Sequence, residues 1–480
     1  MLDRKKYEEE LQRAREQQME DISNYLKKYI ELNAKVRDMD FTPDESKELL
    51  EEVNNIEIPR NGRDVKEIGD ELIDKVFSNA MLIQHPKFLS FVTSAVSPYS
   101  LAGSILTDIF NLNMAGFSLA PSANIIEQKL IKWLGSFAGF GDKCGGLFTS
   151  GGSLSNLTGM IAARTCKLTD DELPLGVAYC SDQAHSSIKK GLKLMGIRKD
   201  NIRIIPTDDD YKIDVKLLEE AIKKDIDNGK KPFLIIGSIG TTNTGSIDDL
   251  QALGEIKNKY DMWLHIDGAY GGSVLFSDIY RNYAKGVENA DTLSWDMHKW
   301  ALQTYSCSCL IAKNKQNLIT TYAEHPEYLA DIINEEHNDG WDLGIEMSRP
   351  ARCIKLWFTV QAMGTDLLKD VIDYSFFNCK VAQKQLEKYS DFEITSNPMC
   401  GTITFRYAPK DVNPEKYDEL NSMISETIID NDYAYVVTTL IKNKRVLRLN
   451  IINGNTTDQD VIEVIDKLNE IAVSLKEQYK

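Results

Sequence analysis

The feature that most restricts this chain is an alternation. Between residues 146 and 312, short β-branched or apolar runs (Gly146 to Ser150, Gly176 to Ser181, Ile202 to Pro206, Pro232 to Gly240, Met262 to Tyr270, Thr292 to Asp296 and Cys307 to Ala312) are mostly separated by stretches of helical period. Such runs read as strands buried on both faces, which need helices above and below them. The pattern predicts an α/β fold built on a mostly parallel seven-stranded sheet. In sheets of this kind ligands sit beyond the carboxyl ends of the strands. The residues of unusual chemistry fall at those ends.

On either side the texture changes. Residues 1 to about 55 carry Glu, Lys, Arg and Gln with apolar residues at helical spacing, such as Ile22, Tyr25, Leu26, Tyr29 and Ile30. They predict amphipathic helices that pack on the body or on a partner subunit. A loop with Pro59 and Gly62 follows, then two apolar, irregular stretches, His85 to Phe91 and Asn113 to Ser118, which suit core and pocket lining equally. Beyond a helical run from Pro350 to Leu386 come short strands at Phe392 to Thr395, Thr402 to Ala408, Ala434 to Leu440 and Arg445 to Ile451, with helices near 414–430 and 457–478. At 480 residues one core is not expected. The expected division is a helical N-terminal segment over 1–95, a large domain over 96–370 and a smaller C-terminal α+β domain over 371–480.

Composition narrows the function. A formal charge of −17 argues against nucleic acid as a partner, while leaving a local anion site open. No segment approaches the roughly 18 consecutive apolar residues of a membrane span, so no membrane partner is expected. The opening Met1-Leu2-Asp3-Arg4-Lys5-Lys6 leads into polar helix and not into a secretory signal, which points to a cytoplasmic location. The cysteines (Cys144, Cys166, Cys180, Cys307, Cys309, Cys353, Cys379 and Cys400) form no C-x-x-C pair. Reduced, buried thiols are expected, without disulfides or a metal site.

Four strand ends carry chemistry. Thr149-Ser150-Gly151-Gly152-Ser153-Leu154-Ser155-Asn156 leaves a strand and opens a helix. Its glycines permit close backbone approach, and exposed N–H groups with the Ser153 and Ser155 hydroxyls suit a phosphate, although a plain serine-capped turn reads the same way. The spacing matches neither G-x-G-x-x-G nor the phosphate-lysine loop of nucleotide hydrolases. His185 is placed to stack on a flat heteroaromatic ring, to titrate near neutrality, or to serve structure alone. Asp267 ends an apolar strand and needs a partner, either a structural cation or a protonated pyridine nitrogen, which makes such a ring an electron sink. Lys299 follows His298 between Trp295 and Trp300. Burial there lowers a lysine's pKa, so Lys299 is expected to be a neutral amine able to bond an aldehyde, the linkage that anchors pyridoxal phosphate. Taken alone, it also reads as a lysine snorkelling to solvent.

The order is more specific than any piece. Phosphate loop, His185, Asp267 and Lys299, in the wording Asp182-Gln183-Ala184-His185-Ser186-Ser187, His265-Ile266-Asp267-Gly268-Ala269-Tyr270-Gly271 and Asp296-Met297-His298-Lys299-Trp300, resemble the group II pyridoxal-phosphate amino-acid decarboxylases. The resemblance covers about residues 60 to 480. Phrases such as Gly240-Thr241-Thr242-Asn243-Thr244-Gly245-Ser246-Ile247-Asp248 are most similar to the bacterial decarboxylases of tryptophan and other aromatic amino acids. It implies the PLP-dependent transferase fold (fold type I), pyridoxal 5'-phosphate as cofactor, a homodimer with sites at the subunit interface, and conversion of an aromatic L-amino acid to its amine and carbon dioxide. Lys299 would carry the cofactor, Asp267 would hold the pyridinium nitrogen, and His185 and Ala269 would cover the two faces of the ring. Ser153, the Leu154 backbone and His298 would contact the phosphate, and Thr242 would lie near cofactor and substrate. Relatives often carry asparagine at Asp296. A second negative charge beside a phosphate is unfavourable, so Asp296 is expected to point away or to bond a backbone group.

The stretch Tyr322 to Gly340 is polar and ends in glycine, which suits a moving lid. Within it Tyr328 matches the position where the family's decarboxylases carry a tyrosine proton donor and the related aldehyde synthases a phenylalanine. By position Phe91, Val92, Ala115 and Phe117 resemble the family's aromatic-pocket residues, with Phe117 reaching the neighbouring subunit's site. Asn113 stands where a tryptophan-specific bacterial relative places histidine, which leaves indole against phenyl open. Neither stretch holds an arginine for a side-chain carboxylate, which weighs against glutamate. The alternatives are a decarboxylase of another amino acid in the family, an aminotransferase or lyase of the same fold, and a non-catalytic interaction protein, against which Lys299 and Asp267 speak.

Overall fold

The computed structural model describes residues 4–40, 42–43, 45–324 and 339–479. Its strands follow the alternation. β1 (Gly145–Thr149), β2 (Gly176–Ser181), β3 (Ile202–Ile205), β4 (Lys231–Ser238), β5 (Trp263–Asp267), β6 (Thr292–Asp296) and β7 (Ser308–Ala312) form one sheet in the order β1-β7-β6-β5-β4-β2-β3. Pairing is parallel from β3 through β2, β4 and β5 to β6, and β7 lies antiparallel between β6 and β1. Being antiparallel to an antiparallel strand, β1 points the same way as β6. The carboxyl ends of all strands but β7 therefore share one edge. Every residue of β1, β2, β5, β6 and β7 is buried, as coverage of both faces requires. The run expected to continue to Tyr270 leaves the sheet at Asp267 and turns into a short 3-10 helix at Gly271–Phe276.

Helices α1 (Arg4–Asn33), α2 (Lys47–Asn54) and α3 (Val65–Leu72) make up the N-terminal part. α1 packs on α3, where the Tyr25 hydroxyl donates to the Lys66 carbonyl at 2.7 Å and Lys28 meets Asp70 at 3.2 Å. Ile22 and Ile30 stay exposed, so this chain covers only part of the apolar stripe of α1. Then come α4 (Pro98–Phe110), α5 (Pro121–Phe137), α6 (Gly152–Lys167), α7 (Ser186–Leu194), α8 (Val215–Asp227), α9 (Leu250–Lys259) and α10 (Gln316–Tyr322). The long α11 (Cys353–Leu386) is interrupted at Gly364, whose φ of 76° only glycine takes freely. Its Ile372 and Phe376 join the core of the large sheet, whereas Cys379, Ala382 and Leu386 join a second core. The expected boundary at 370/371 falls inside this helix.

The second core lies between α12 (Tyr417–Asp430), α13 (Asp458–Lys476) and an antiparallel sheet of β8 (Phe392–Ile394), β9 (Thr402–Tyr407), β10 (Val437–Ile441) and β11 (Lys444–Asn450), in the order β10-β11-β9-β8. The strand expected from Ala434 begins at Val437. Before it, Tyr435 pairs with the chain near Phe88 instead: its N–H donates to the Lys87 carbonyl at 3.0 Å and its carbonyl accepts from Leu89 N–H at 3.1 Å. That pairing carries the Phe91 stretch toward the large sheet. All eight cysteines are free and seven are buried, and burial pushes the Cys144 thiol up to about 11. Among the described residues no helix is long and apolar enough to cross a membrane.

Candidate active site

A cavity of about 670 Å³ opens at the shared edge of the large sheet. β1 ends at Thr149 and α6 begins at Gly152 with no side chain capping it, and Gly151 to Leu154 line the cavity. An uncapped start leaves N–H groups and the positive end of the helix dipole free for an anion. Glycine at 152 is a matter of space: a Cβ there would lie 2.8 Å from the Ala269 Cβ and 2.9 Å from Asp296 Oδ2. Ser153 lines the cavity as expected, but Ser155 does not offer its hydroxyl to it. Ser155 is buried and tied to Thr149 Oγ1 at 2.6 Å and Ser308 Oγ at 2.8 Å.

His185 caps α7 with its own ring. Nδ1 accepts the Ser187 N–H at 3.3 Å and lies 2.8 Å from the Ser187 hydroxyl, which fixes the ring's orientation at the cavity. Asp267 is buried, and among the described residues its Oδ1 bonds neutral groups, the Ala269 N–H at 3.1 Å and the Ser294 hydroxyl at 3.4 Å. Beneath it runs a closed polar network. Ser294 Oγ, with one proton to share between Asp267 Oδ1 and Asn156 Oδ1, links Asp267 to Asn156 Oδ1, which lies 3.0 Å from His265 Nε2, while His265 Nδ1 lies 2.9 Å from Thr292 Oγ1, itself an acceptor from Trp263 Nε1 at 3.0 Å. Burial pushes His265 down to about 3, so this histidine is neutral.

The turn after β6 presents Lys299. Trp295 and Trp300 on either side are fully buried and donate to Ser273 Oγ and Ser375 Oγ. Burying each ring contributes up to about 5 kcal/mol and fixes the turn. Lys299 Nζ stands 3.0 Å from Asp296 Oδ2, with a quarter of the lysine side chain exposed. This overturns the expectation of a lowered pKa. Burial does act to lower it, but Asp296 and then Asp267 more than offset that, and the ammonium is held above the ordinary lysine range. Asp296 also departs from expectation. It is buried and does not point away; Oδ2 faces Lys299 and, at 3.6 Å, His298 Nε2, and among the described residues its side chain bonds no backbone group and Oδ1 has no partner. His298 is seated by the Cys307 backbone through Nδ1, and burial holds its pKa below the usual value.

Phe91, Val92, Thr242, Ala269 and His298 all line the same cavity. Phe91 takes a left-handed backbone with φ 54°, and its carbonyl accepts from Arg448 Nη2 at 3.3 Å, while Arg448 Nη1 donates to the Thr242 carbonyl at 2.7 Å. Arg448 was missed by the sequence reasoning. It is buried, lines the cavity, leaves Nε without a partner and meets no carboxylate among the described residues. Its signal was an arginine between Leu447 and Leu449 in an apolar strand, where a charge needs a reason. The argument against acidic substrates, built on the absence of arginine from two other stretches, therefore loses its force. Asn113, Ala115 and Phe117 do not line this cavity within the chain. Tyr328 lies outside the described residues. Tyr322, the expected start of a lid, belongs to α10 and donates to the Thr158 carbonyl at 2.6 Å.

A family model described as the pyridoxal-dependent decarboxylase conserved domain matches residues 43–408. The chain belongs to this family. An aromatic-L-amino-acid decarboxylase of Bacillus atrophaeus is 35% identical over 426 residues, 88% of either chain. Human cysteine sulfinic acid decarboxylase is 29% identical over 397 residues, 79% of either chain. The crystal structure of Oryza sativa TDC with PLP and tryptamine matches with a TM-score of 0.90 at 24% identity, over 95% of this chain and 98% of that one, which establishes fold type I. This protein is a pyridoxal-phosphate-dependent amino-acid decarboxylase, and the cavity suits that cofactor. The decarboxylase offers an uncapped helix start for a phosphate, a buried carboxylate that forms no salt bridge among the described residues for a pyridinium, and a lysine at the same opening.

Proposed function

We propose that this decarboxylase acts on an aromatic L-amino acid and releases the arylalkylamine and carbon dioxide. The observation that carries this is the joining of Phe91, Val92 and Val437 to the cavity that holds Lys299 and Asp267. When bound, pyridoxal phosphate supplies an electron sink for the pair left at Cα as carbon dioxide departs. Lys299 would anchor the cofactor through its amine. Asp267 would hold the protonated ring nitrogen, and His185 and Ala269 would lie against the ring. Ser153, the Leu154 backbone and His298 would contact the phosphate, and Thr242 would border cofactor and substrate. Tyr328 delivers the proton that Cα takes up. Asn113, Ala115 and Phe117 complete the aromatic pocket from the second subunit of a homodimer, and the enzyme works in the cytoplasm.

A second substrate class has one observation in its favour. The buried Arg448 guanidinium, without a carboxylate partner among the described residues, suits an amino acid with an acidic side chain. An amine-product screen of the loaded enzyme over the twenty amino acids and cysteine sulfinate decides between them. Tryptamine, tyramine or phenethylamine with equimolar carbon dioxide is the expected result; amine from acidic substrates alone overturns it, and oxo acid without carbon dioxide would mark a transaminase. Replacing Tyr328 by Phe is expected to cut amine yield and raise aldehyde, ammonia and peroxide. Unchanged product ratios remove Tyr328 from the protonation step.

A further inference from the structure

Asp296 takes part in none of the roles above, yet it is the most confined carboxylate at the cavity. Its side chain is 2% exposed, Oδ1 has no partner among the described residues, and Oδ2 faces Lys299 Nζ at 3.0 Å with His298 Nε2 at 3.6 Å. Gly152 packs closely against it, and a Cβ there would come within 2.9 Å of Oδ2. A carboxylate this deep persists only beside a compensating charge. Lys299 is that charge.

We propose that Asp296 is the counter-ion that keeps Lys299 as a seated ammonium until an aldehyde takes the amine, and that it thereby sets the pH range over which the enzyme is loaded with cofactor. This rests on Lys299 being the anchor. The other groups around the amine do not replace Asp296. From the end of β5, Asp267 acts in the same direction, but its Oδ1 is already engaged by Ala269 and Ser294. His298 is disfavoured as a cation by burial, Tyr305 lies beside the His298 ring at 4.9 Å, and His185 from α7 and Arg448 from β11 line the cavity and bond other groups. The balance of loading shows why the pair matters: one ammonium and one aldehyde give one carbon–nitrogen double bond, one water and one proton. The ammonium must first release that proton to solvent, and a quarter of the side chain is exposed. An anion 3.0 Å away opposes the release.

Asp296→Asn keeps the shape and removes the charge. The test is trace acylation with acetic anhydride of the cofactor-stripped, full-length enzyme across pH, read at Lys299 by peptide mapping, with exposed Lys199 as internal reference. The midpoint for Lys299 is expected to fall by at least about one pH unit in Asp296→Asn, a tenfold change in the free-amine fraction at a given pH. Asp267→Asn should move it less. An unmoved midpoint in Asp296→Asn, or a larger shift in Asp267→Asn, overturns the proposal. If Asp296→Asn does not fold, the unmodified enzyme decides: Lys299 must acylate at higher pH than Lys199, and a lower midpoint overturns the assignment. Pyridoxal phosphate added before acylation separates this from the anchor role. Protection of Lys299 with no shift in Asp296→Asn leaves the anchor standing and removes the counter-ion; no protection at any pH removes the anchor itself.

Discussion

The strand ends and the Asn113–Phe117 segment are held by different means. At the strand ends position follows from register. Ser238 pairs with Asp267 and Asp267 with Ser294, so the residues that line the cavity are set by neighbouring strands at about 4.8 Å steps. The segment between α4 and α5 is held by a stretch more than two hundred residues further on. Met114 N–H donates to the Arg349 carbonyl at 2.8 Å, Trp341 N–H donates to the Ala115 carbonyl at 3.1 Å, and Asn113 Oδ1 accepts from the N–H groups of Ala115 and Arg349. Arg349 is in turn locked to Glu127 by two bonds of 2.6 and 2.7 Å, both side chains 1% exposed. A strand end is placed by its own sheet. A loop takes its role from whatever meets it, here the 339–350 stretch and, by our proposal, a second subunit.

The largest effect should come from the strand ends. Lys299→Ala is expected to cut amine formation by on the order of a thousandfold or more, the scale on which loss of a covalent participant is felt, and to abolish the visible absorbance of tightly bound cofactor. Retention of a tenth of the activity would move the chemistry away from this edge and dissolve the contrast between the two regions.

Phe117→Ala probes the other side. If Phe117 serves the partner's pocket, KM for the aromatic amino acid rises about tenfold or more, as loss of a single apolar contact allows, with cofactor absorbance unchanged. Mixing subunits sharpens the point. In a hybrid of a Phe117→Ala chain with a Lys299→Ala chain, the surviving lysine sits in a pocket completed by an intact Phe117, so KM should return to the unmodified value. A hybrid KM that stays high would place Phe117 in its own chain's site.

The same contrast explains what could be read in advance. The seven strands and their shared edge were legible because a strand buried on both faces has few sequences open to it, and Asp267, Lys299 and Gly152 stand at ends that topology brings together. What escaped depends on distance through space. Arg448 reaches the cavity from the C-terminal sheet, Ser155 turns from the anion toward Ser308, and the pKa of Lys299 is reversed by a carboxylate three residues earlier whose direction no pattern specifies. Tertiary contact decided each of these.

The smallest effect concerns what lies under each region. The strand ends rest on neutral His265, with its pKa pushed down to about 3 from an ordinary 6.5, while the loop rests on an Arg349 guanidinium that stays charged: burial acts against its charge, but Glu127 more than offsets that and raises its pKa. The unfolded chain takes up a proton at its histidine near 6.5, the native chain only near 3, so the stability contributed by neutral His265 is complete above about 6.5 and is lost as pH falls toward 3, at up to about 1.4 kcal/mol per unit. In the unmodified enzyme this slope is masked, because burial raises Asp248 to about 6 from 3.8 and a raised carboxyl gains native stability as pH falls through the same window. The difference between two proteins unmasks it. His265→Gln should be less stable than the unmodified enzyme at pH 7, where its bonds to Asn156 and Thr292 are altered, and the gap in urea midpoint should narrow steadily between pH 6 and 4. Arg349→Ala, which leaves Glu127 buried and unpaired, should destabilise by about 3–5 kcal/mol at pH 7. A gap for His265→Gln that stays constant over that range would mean the histidine is protonated in the native state and that the floor of the strand-end region is charged.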